Sequence, residues 1–364
     1  MKLTQTNSFT KASLLFYISL GRISFLNFQE KLFLLKNLDS SNALALLSIE
    51  DIENLVNRKF SKRVIWDGKK NLLMAEAILS RCQKANIEII FYFEDSYPPL
   101  LKEISDPPFL MYCRGNSDLL KSSGVSVVGT RQLTQNGKQA AVDFAYDAIL
   151  SGSNVISGLA NGADGYAHQG AINAYFDCKE HNFGLDKIGR TIAVLPSAID
   201  EIVPYNHKKL AAQIIQTGGL LVSEFEPGTI TEKWHFVARN RIIAALSTAT
   251  VVIEAPSGSG ALITADFALE YNRDVFFHEV AFSHNAVQIE SIVKSDLEKK
   301  HAEGTVSKYK LENSIKKFID NGAPVIKDYE DFCKIQIMPP GEKIKQENKN
   351  PPCIQGELFL NSNK

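Results

Sequence analysis

The chain is predicted to be an α/β protein: a mostly parallel sheet with helices on both faces, preceded by a small all-helical module. Three observations carry this. From Val125 onward, short apolar runs of strand length alternate with helical patterns, the texture of a parallel sheet built from right-handed crossovers. Several of those runs end in glycine-bearing turns that lead into a helix. Before about residue 87, apolar residues recur at helical rather than strand spacing.

With 364 residues, 45% of them hydrophobic and 22% charged, the chain can bury a full core in two or three domains. The net charge of −1 excludes a polycation, so any site for an anionic polymer is a local patch. The five cysteines, Cys82, Cys113, Cys178, Cys333 and Cys353, form no Cys-x-x-Cys pair and are odd in number. That points to a reducing compartment, to no metal site and to a cytoplasmic protein. No apolar run is long enough to span a membrane. Leu14 to Leu20 is apolar behind Lys11, but the pattern continues through Leu26, Phe28, Leu32 and Leu35, which reads as a buried helix rather than a signal peptide.

Taken in order, residues 1–86 suggest four short helices. One has Ser48 as its N-cap, Glu50 and Asp51 in its first turn, and Ile52, Leu55 and Val56 on its apolar face. Residues 87–93 and Phe109 to Cys113 read as strands, separated by Pro98-Pro99 and Pro107-Pro108. Strands are then expected at 125–129, 154–157, 191–195, 219–223, 250–255 and 274–277. Helices are expected at 136–150, 163–175, 206–217, 237–247 and 261–271. Residues 281–317 look like a charged insertion, within an irregular stretch reaching 321 that holds an exposed helix from Lys294 to Glu303. Compact patterning resumes from Phe318 to Phe332, and 336–364 reads as a disordered polar tail.

Four strand ends carry the chemistry. Gly129-Thr130-Arg131 offers backbone donors, a hydroxyl and a guanidinium suited to a phosphate; its plain alternative is a turn with an exposed arginine. In Ser157-Gly158-Leu159-Ala160-Asn161-Gly162-Ala163-Asp164, glycines let N–H groups face a ligand. Asp164 can cap the next helix, and His168 one turn on can bond to it. No nucleophile accompanies them, so structural support is the expected role. Arg239-Asn240-Arg241 is expected to open a helix, where the dipole disfavours cations unless an anion compensates. Gly258-Ser259-Gly260 reads as an anion cradle at a helix start, without the Lys-Ser/Thr of a P-loop. Lys208 and Lys209 could extend a basic track, although an exposed lysine pair is ordinarily a solvated face. Phe225, Phe236 and Tyr205 are candidates for base stacking or for core.

These motifs, with Tyr97-Pro98-Pro99-Leu100-Leu101, Asp106-Pro107-Pro108, Ser223-Glu224-Phe225-Glu226-Pro227-Gly228-Thr229 and Arg239 through Ser247, resemble the DNA-processing protein A family (DprA, also called Smf) from about Asp95 to Glu279. The resemblance implies a Rossmann-like domain over 87–335 that binds single-stranded DNA, forms a homodimer and helps load RecA on incoming strands in natural transformation. It implies no enzymatic activity and no cofactor. The chain departs from the family pattern in carrying Thr130, Asn161, Pro196-Ser197-Ala198 after Leu195, and His278-Glu279 after Phe277. The residues after 336 are too few for a winged-helix module, and 1–86 takes the place of a sterile-alpha-motif-like module. On these grounds the DNA-contacting set is Gly129, Thr130, Arg131, Gly158, Asn161, Gly162, Lys208, Lys209, Phe225, Arg239, Asn240, Arg241, Gly258, Ser259 and Gly260, with Asp164, His168 and Thr264 in support. The rival reading is a nucleotide-binding protein or a phosphoribohydrolase-like enzyme of the same superfamily. In the hydrolases the loop supplies a catalytic Glu, and Thr264 stands in its place here; a threonine cannot serve as general acid/base at neutral pH.

Overall fold

The structure, a computed structural model, describes residues 9–338. Five helices come first, one more than expected: α1 (Lys11–Gly21), α2 (Phe28–Asn37), α3 (Ser41–Leu46), α4 (Ile49–Val56) and α5 (Gly68–Lys84). Each starts at a side chain that accepts a first-turn N–H: Thr10, Asn27, Ser40, Ser48 and Asp67. Leu15, Phe16, Ile18 and Leu20 of α1 are buried, while Leu14 is half-buried.

The sheet elements follow as β1 (Glu88–Phe91), α6 (Pro99–Lys102), β2 (Leu110–Gly115), β3 (Gly124–Val128), α7 (Gln135–Leu150), β4 (Asn154–Ser157), α8 (Ala163–Glu180), β5 (Thr191–Val194), α9 (Lys208–Gln216) and β6 (Leu220–Ser223). Then come α10 (Lys233–Ala245), β7 (Ala249–Val252), α11 (Gly260–Glu270), β8 (Asp274–His278), α12 (His284–Ala302), α13 (Lys308–Glu312), α14 (Ile315–Asp320), β9 (Val325–Ile326) and α15 (Tyr329–Gln336). Among the described residues the nine strands form one sheet in the order β1-β2-β6-β5-β4-β3-β7-β8-β9. It is parallel from β6 to β9, with β2 antiparallel to both β1 and β6.

The strand alternation sorts the core onto two faces. Val125 and Val127 pack with α7, α8 and α15, while Val128 faces α10, α11 and α14. Leu221 meets the N-terminal helices through Phe91, Tyr112, Leu195 and Ile214, so α1–α5 share a core with the sheet. The chain winds from β3 outward to β6, then returns to β7 on the other side of β3. That reversal opens a crevice at the carboxyl ends of β3 and β7, where open α/β sheets hold ligands.

Three expectations change. Residues 281–321 are not irregular: they form the three helices α12, α13 and α14. The helix containing Arg239 begins at Lys233 rather than at 237, behind Glu232, which accepts from the first turn as its cap. Of the polar tail expected over 336–364, Gln336 instead closes α15, and the part past Met338 lies outside the described residues.

Candidate functional site

The rim of the crevice is built by close backbone packing. A Cβ on Gly129 would stand 2.6 Å from the Ala163 Cβ and 3.0 Å from the Glu254 carbonyl oxygen. The Thr130 N–H donates to that same carbonyl at 2.6 Å, and the Thr130 carbonyl accepts from Ala163 N–H. Gly162 has φ 83° and passes so near that a Cβ would lie 2.2 Å from the Thr130 oxygen. Thr130 is therefore a tie between strands, and its amide is not available to a ligand. The buried carboxylate of Glu254 accepts from Thr134 N–H at 2.9 Å and Thr134 Oγ1–H at 2.5 Å, fixing the start of α7. The sequence reading missed this pair, since nothing local marks residues 120 positions apart as partners.

Arg131 is what the tie presents. It is exposed, forms no ion pair among the described residues, and its guanidinium lies over the Phe236 ring, 5.3 Å from the centroid. It lines two clefts at once. The first, about 780 Å³, runs between the β3 and β7 ends, α10 and α12, with Lys233, Phe236, Asn240, Lys300 and Lys310 in its walls and Asp164 and Asp296 also facing it. The second, about 620 Å³, lies toward α9 and is lined by Arg131, Lys138, Asn161, Gly162, Asn206 and Lys209, with no carboxylate. An exposed guanidinium between two basic clefts attracts a chain of negative charge rather than a single ion.

Other expected contacts prove structural. The N–H groups of Gly158 and Ala160 donate to Asp164 Oδ2, at 3.1 and 3.4 Å, so that stretch is no open cradle. Burial raises the Asp164 carboxyl above its ordinary range, opposed by Arg239, these two N–H donors and Arg131. His168 does not bond Asp164. Its Nδ1 shares a 2.7 Å hydrogen bond with Thr191 Oγ1, and burial pushes the imidazole down to about 3, so it is neutral. Both make buried hydrogen bonds within the chain, different from those expected.

For Arg239 and Arg241 the expected place at a helix start is corrected, although Arg239 still lines the first cleft. With the helix starting at Lys233, neither sits at its positive end, and the dipole argument lapses. Arg239 is 3% exposed, and its Nη1 donates to the carbonyls of Gly158 and Val194, joining the ends of β4 and β5. Burial lowers its guanidinium to about 10 despite Asp164. Arg241 Nη2 donates to both carboxylate oxygens of Glu224, at 2.6 and 2.7 Å, with Asp106 3.6 Å from Nε. Asn240 does line the first cleft, and its amide donates to the Gly260 carbonyl at 3.2 Å.

Phe225 stacks on His235 at 3.9 Å between centroids and lines neither cleft. Lys208 Nζ sits 3.9 Å from the Tyr205 ring centroid, outside the second cleft that Lys209 lines. In the β7 loop, Ser257 N–H and Oγ–H both donate to Glu290 of α12, and Gly258 N–H donates to the Asn313 carbonyl at 2.8 Å. The donors before Ser259 are thus taken by the chain itself. Ser259 caps α11, Thr264 Oγ1 donates to the Gly260 carbonyl at 3.4 Å, and a Cβ on Gly260 would meet nothing within 4 Å. Lys138, Lys233, Lys300 and Lys310 were missed; reading Glu232 as a cap would have exposed Lys233 as the first residue of α10. No metal-ligand cluster, and no helix long and apolar enough to cross a membrane, occurs among the described residues.

A family model described as DNA recombination-mediator protein A matches residues 88–334. The chain is 37% identical over 247 residues to Protein Smf of Synechocystis sp., covering 67% of this chain and 57% of that relative. It is 33% identical over 263 residues to Protein Smf of Borreliella burgdorferi, covering 72% of this chain and 78% of the relative. Among solved structures, DNA processing protein A from Streptococcus pneumoniae superposes with a TM-score of 0.60 at 27% identity, covering 87% of this chain and 95% of that one. The match thus spans little more than half the length of the Synechocystis relative.

Proposed function

Because this chain belongs to the DNA recombination-mediator protein A family, we propose that it binds single-stranded DNA along the rim and acts as a recombination mediator rather than an enzyme. The observation that carries the reading is Arg131: an exposed guanidinium without an ion-pair partner among the described residues, shared by two clefts whose other cations include Lys233, Lys300, Lys310 and the buried Arg239 on one side and Lys138 and Lys209 on the other. Phosphates follow these cations. Bases lie against the aromatic side chains of α10, Phe236 in the lining of the first cleft and the exposed Trp234 outside that lining, each stacked base adding roughly 1–3 kcal/mol.

Loading of RecA, protection of incoming strands, the homodimer and a cytoplasmic location complete the proposal and rest on kinship. The rival enzyme reading is disfavoured by Thr264, whose hydroxyl is buried against the Gly260 carbonyl where a hydrolase needs a carboxylate. A gel shift comparing single- with double-stranded DNA, run beside an assay for free adenine from AMP, separates the two. Strand-selective binding without base release supports the mediator, and base release overturns it. Sedimentation would give the dimer mass, and strand exchange with added RecA tests loading.

A further inference from the structure

The segment that the sequence marks as an insertion is seated on the rim. Glu290 of α12 takes two donors of the β7 loop, Ser257 N–H at 2.6 Å and Ser257 Oγ–H. The Asn313 carbonyl takes a third, Gly258 N–H, and the Lys310 side chain packs against Gly258, which has φ 69°. Paired backbone and hydroxyl donors at the start of a helix after a parallel strand are what a phosphate oxygen would use. Here a carboxylate of the same chain uses them.

The rest of α12 is held lightly. Leu297 is its one buried residue, Ile292 is 71% exposed, and the inward residues Glu290, Val293, Asp296 and Leu297 are those that meet the loop or the first cleft. Asp296 is paired at 2.7 Å with Lys300, so the wall brings no unbalanced charge besides Glu290.

The geometry points to α12 as a self-occluding cover: Glu290 occupies a phosphate subsite at Ser257, and a bound strand must displace it. This rests on the proposed function, since the displacing ligand is a strand phosphate. The apparent affinity of the intact chain is then reduced by the fraction of time the cover is shut. Removing the carboxylate removes both the competitor and a negative charge beside the track.

The test is anisotropy titration of labelled oligo(dT) with the full chain and with the variants Glu290→Gln and Glu290→Ala, alongside hydrogen exchange of residues 284–302. The expected result is a gain in affinity on the order of threefold to tenfold for both variants, from the loss of a charge-assisted acceptor that competes for the Ser257 donors. Exchange in α12 should be faster with oligo(dT) bound than without. Unchanged or weakened binding by both variants, or slower exchange on binding, overturns the cover while leaving strand binding by the parent chain in place. Absence of any binding by the parent chain overturns both.

Discussion

The guanidinium of Arg239 lies where a Cβ on Gly158 would have to stand: Nη1 is 2.0 Å from that point and Cζ 2.4 Å. The arginine donates to the Gly158 carbonyl while Asp164 accepts from the Gly158 N–H, so one glycine couples two buried charges. Gly158→Ala should destabilise the fold by about 1–3 kcal/mol through overpacking. Arg239→Ala should cost about 2–5 kcal/mol, because it leaves the buried Gly158 and Val194 carbonyls without their donor and opens a cavity. Urea unfolding would register both losses. If either variant kept wild-type stability and lost only DNA affinity, the structural assignment of Arg239 would be wrong.

His168 sets an acid limit on stability. The folded chain holds its imidazole neutral, with burial lowering it from 6.5 to about 3, whereas the unfolded chain takes up a proton near 6.5. Its contribution is complete above pH 6.5 and is lost as pH falls toward 3, at up to about 1.4 kcal/mol per pH unit. His168→Gln should therefore show a shallower decline in urea midpoint between pH 6.5 and 4 than the parent chain. Parallel declines would contradict this.

Trp234 is 56% exposed, and its indole N–H donates to Glu232 at 3.0 Å. Phe225 and His235 hold the ring edge-on from behind, with centroids 5.9 and 4.1 Å away. The only other tryptophan, Trp66, is part-buried in the N-terminal region and bonded to the Leu47 carbonyl. In a Trp66→Phe chain, saturating oligo(dT) should quench the remaining fluorescence by stacking. Quenching that instead persists in Trp234→Phe and vanishes in Trp66→Phe would move the strand away from α10.

The sequence shows the sheet clearly because its signals are local. Gly129, Gly162 and Gly258 mark turns, Ser48 marks a cap, and the strands from Val125 onward are continuous apolar runs of the kind that parallel strands, buried on both faces, require. The site was harder to read. Arginine type alone does not separate Arg131, which faces solvent, from Arg239 and Arg241, which satisfy carbonyls and Glu224. Local pattern placed the start of α10 four residues late, and that error produced the dipole argument. Glu290 lies 33 residues from Ser257 and joins it only through the fold. The family resemblance pointed to this rim, but burial decides which of its polar groups remain available to a ligand.

Salt-dependent anisotropy titration of oligo(dT) with the parent chain and Arg131→Ala tests the central claim most directly. Binding of the parent chain should weaken linearly in log–log form, with a slope of about −0.7 for each phosphate neutralised. Arg131→Ala should bind on the order of tenfold more weakly, with a slope shallower by about 0.7 and unchanged thermal stability. Undiminished affinity in Arg131→Ala, or binding by the parent chain that ignores salt, would contradict the account.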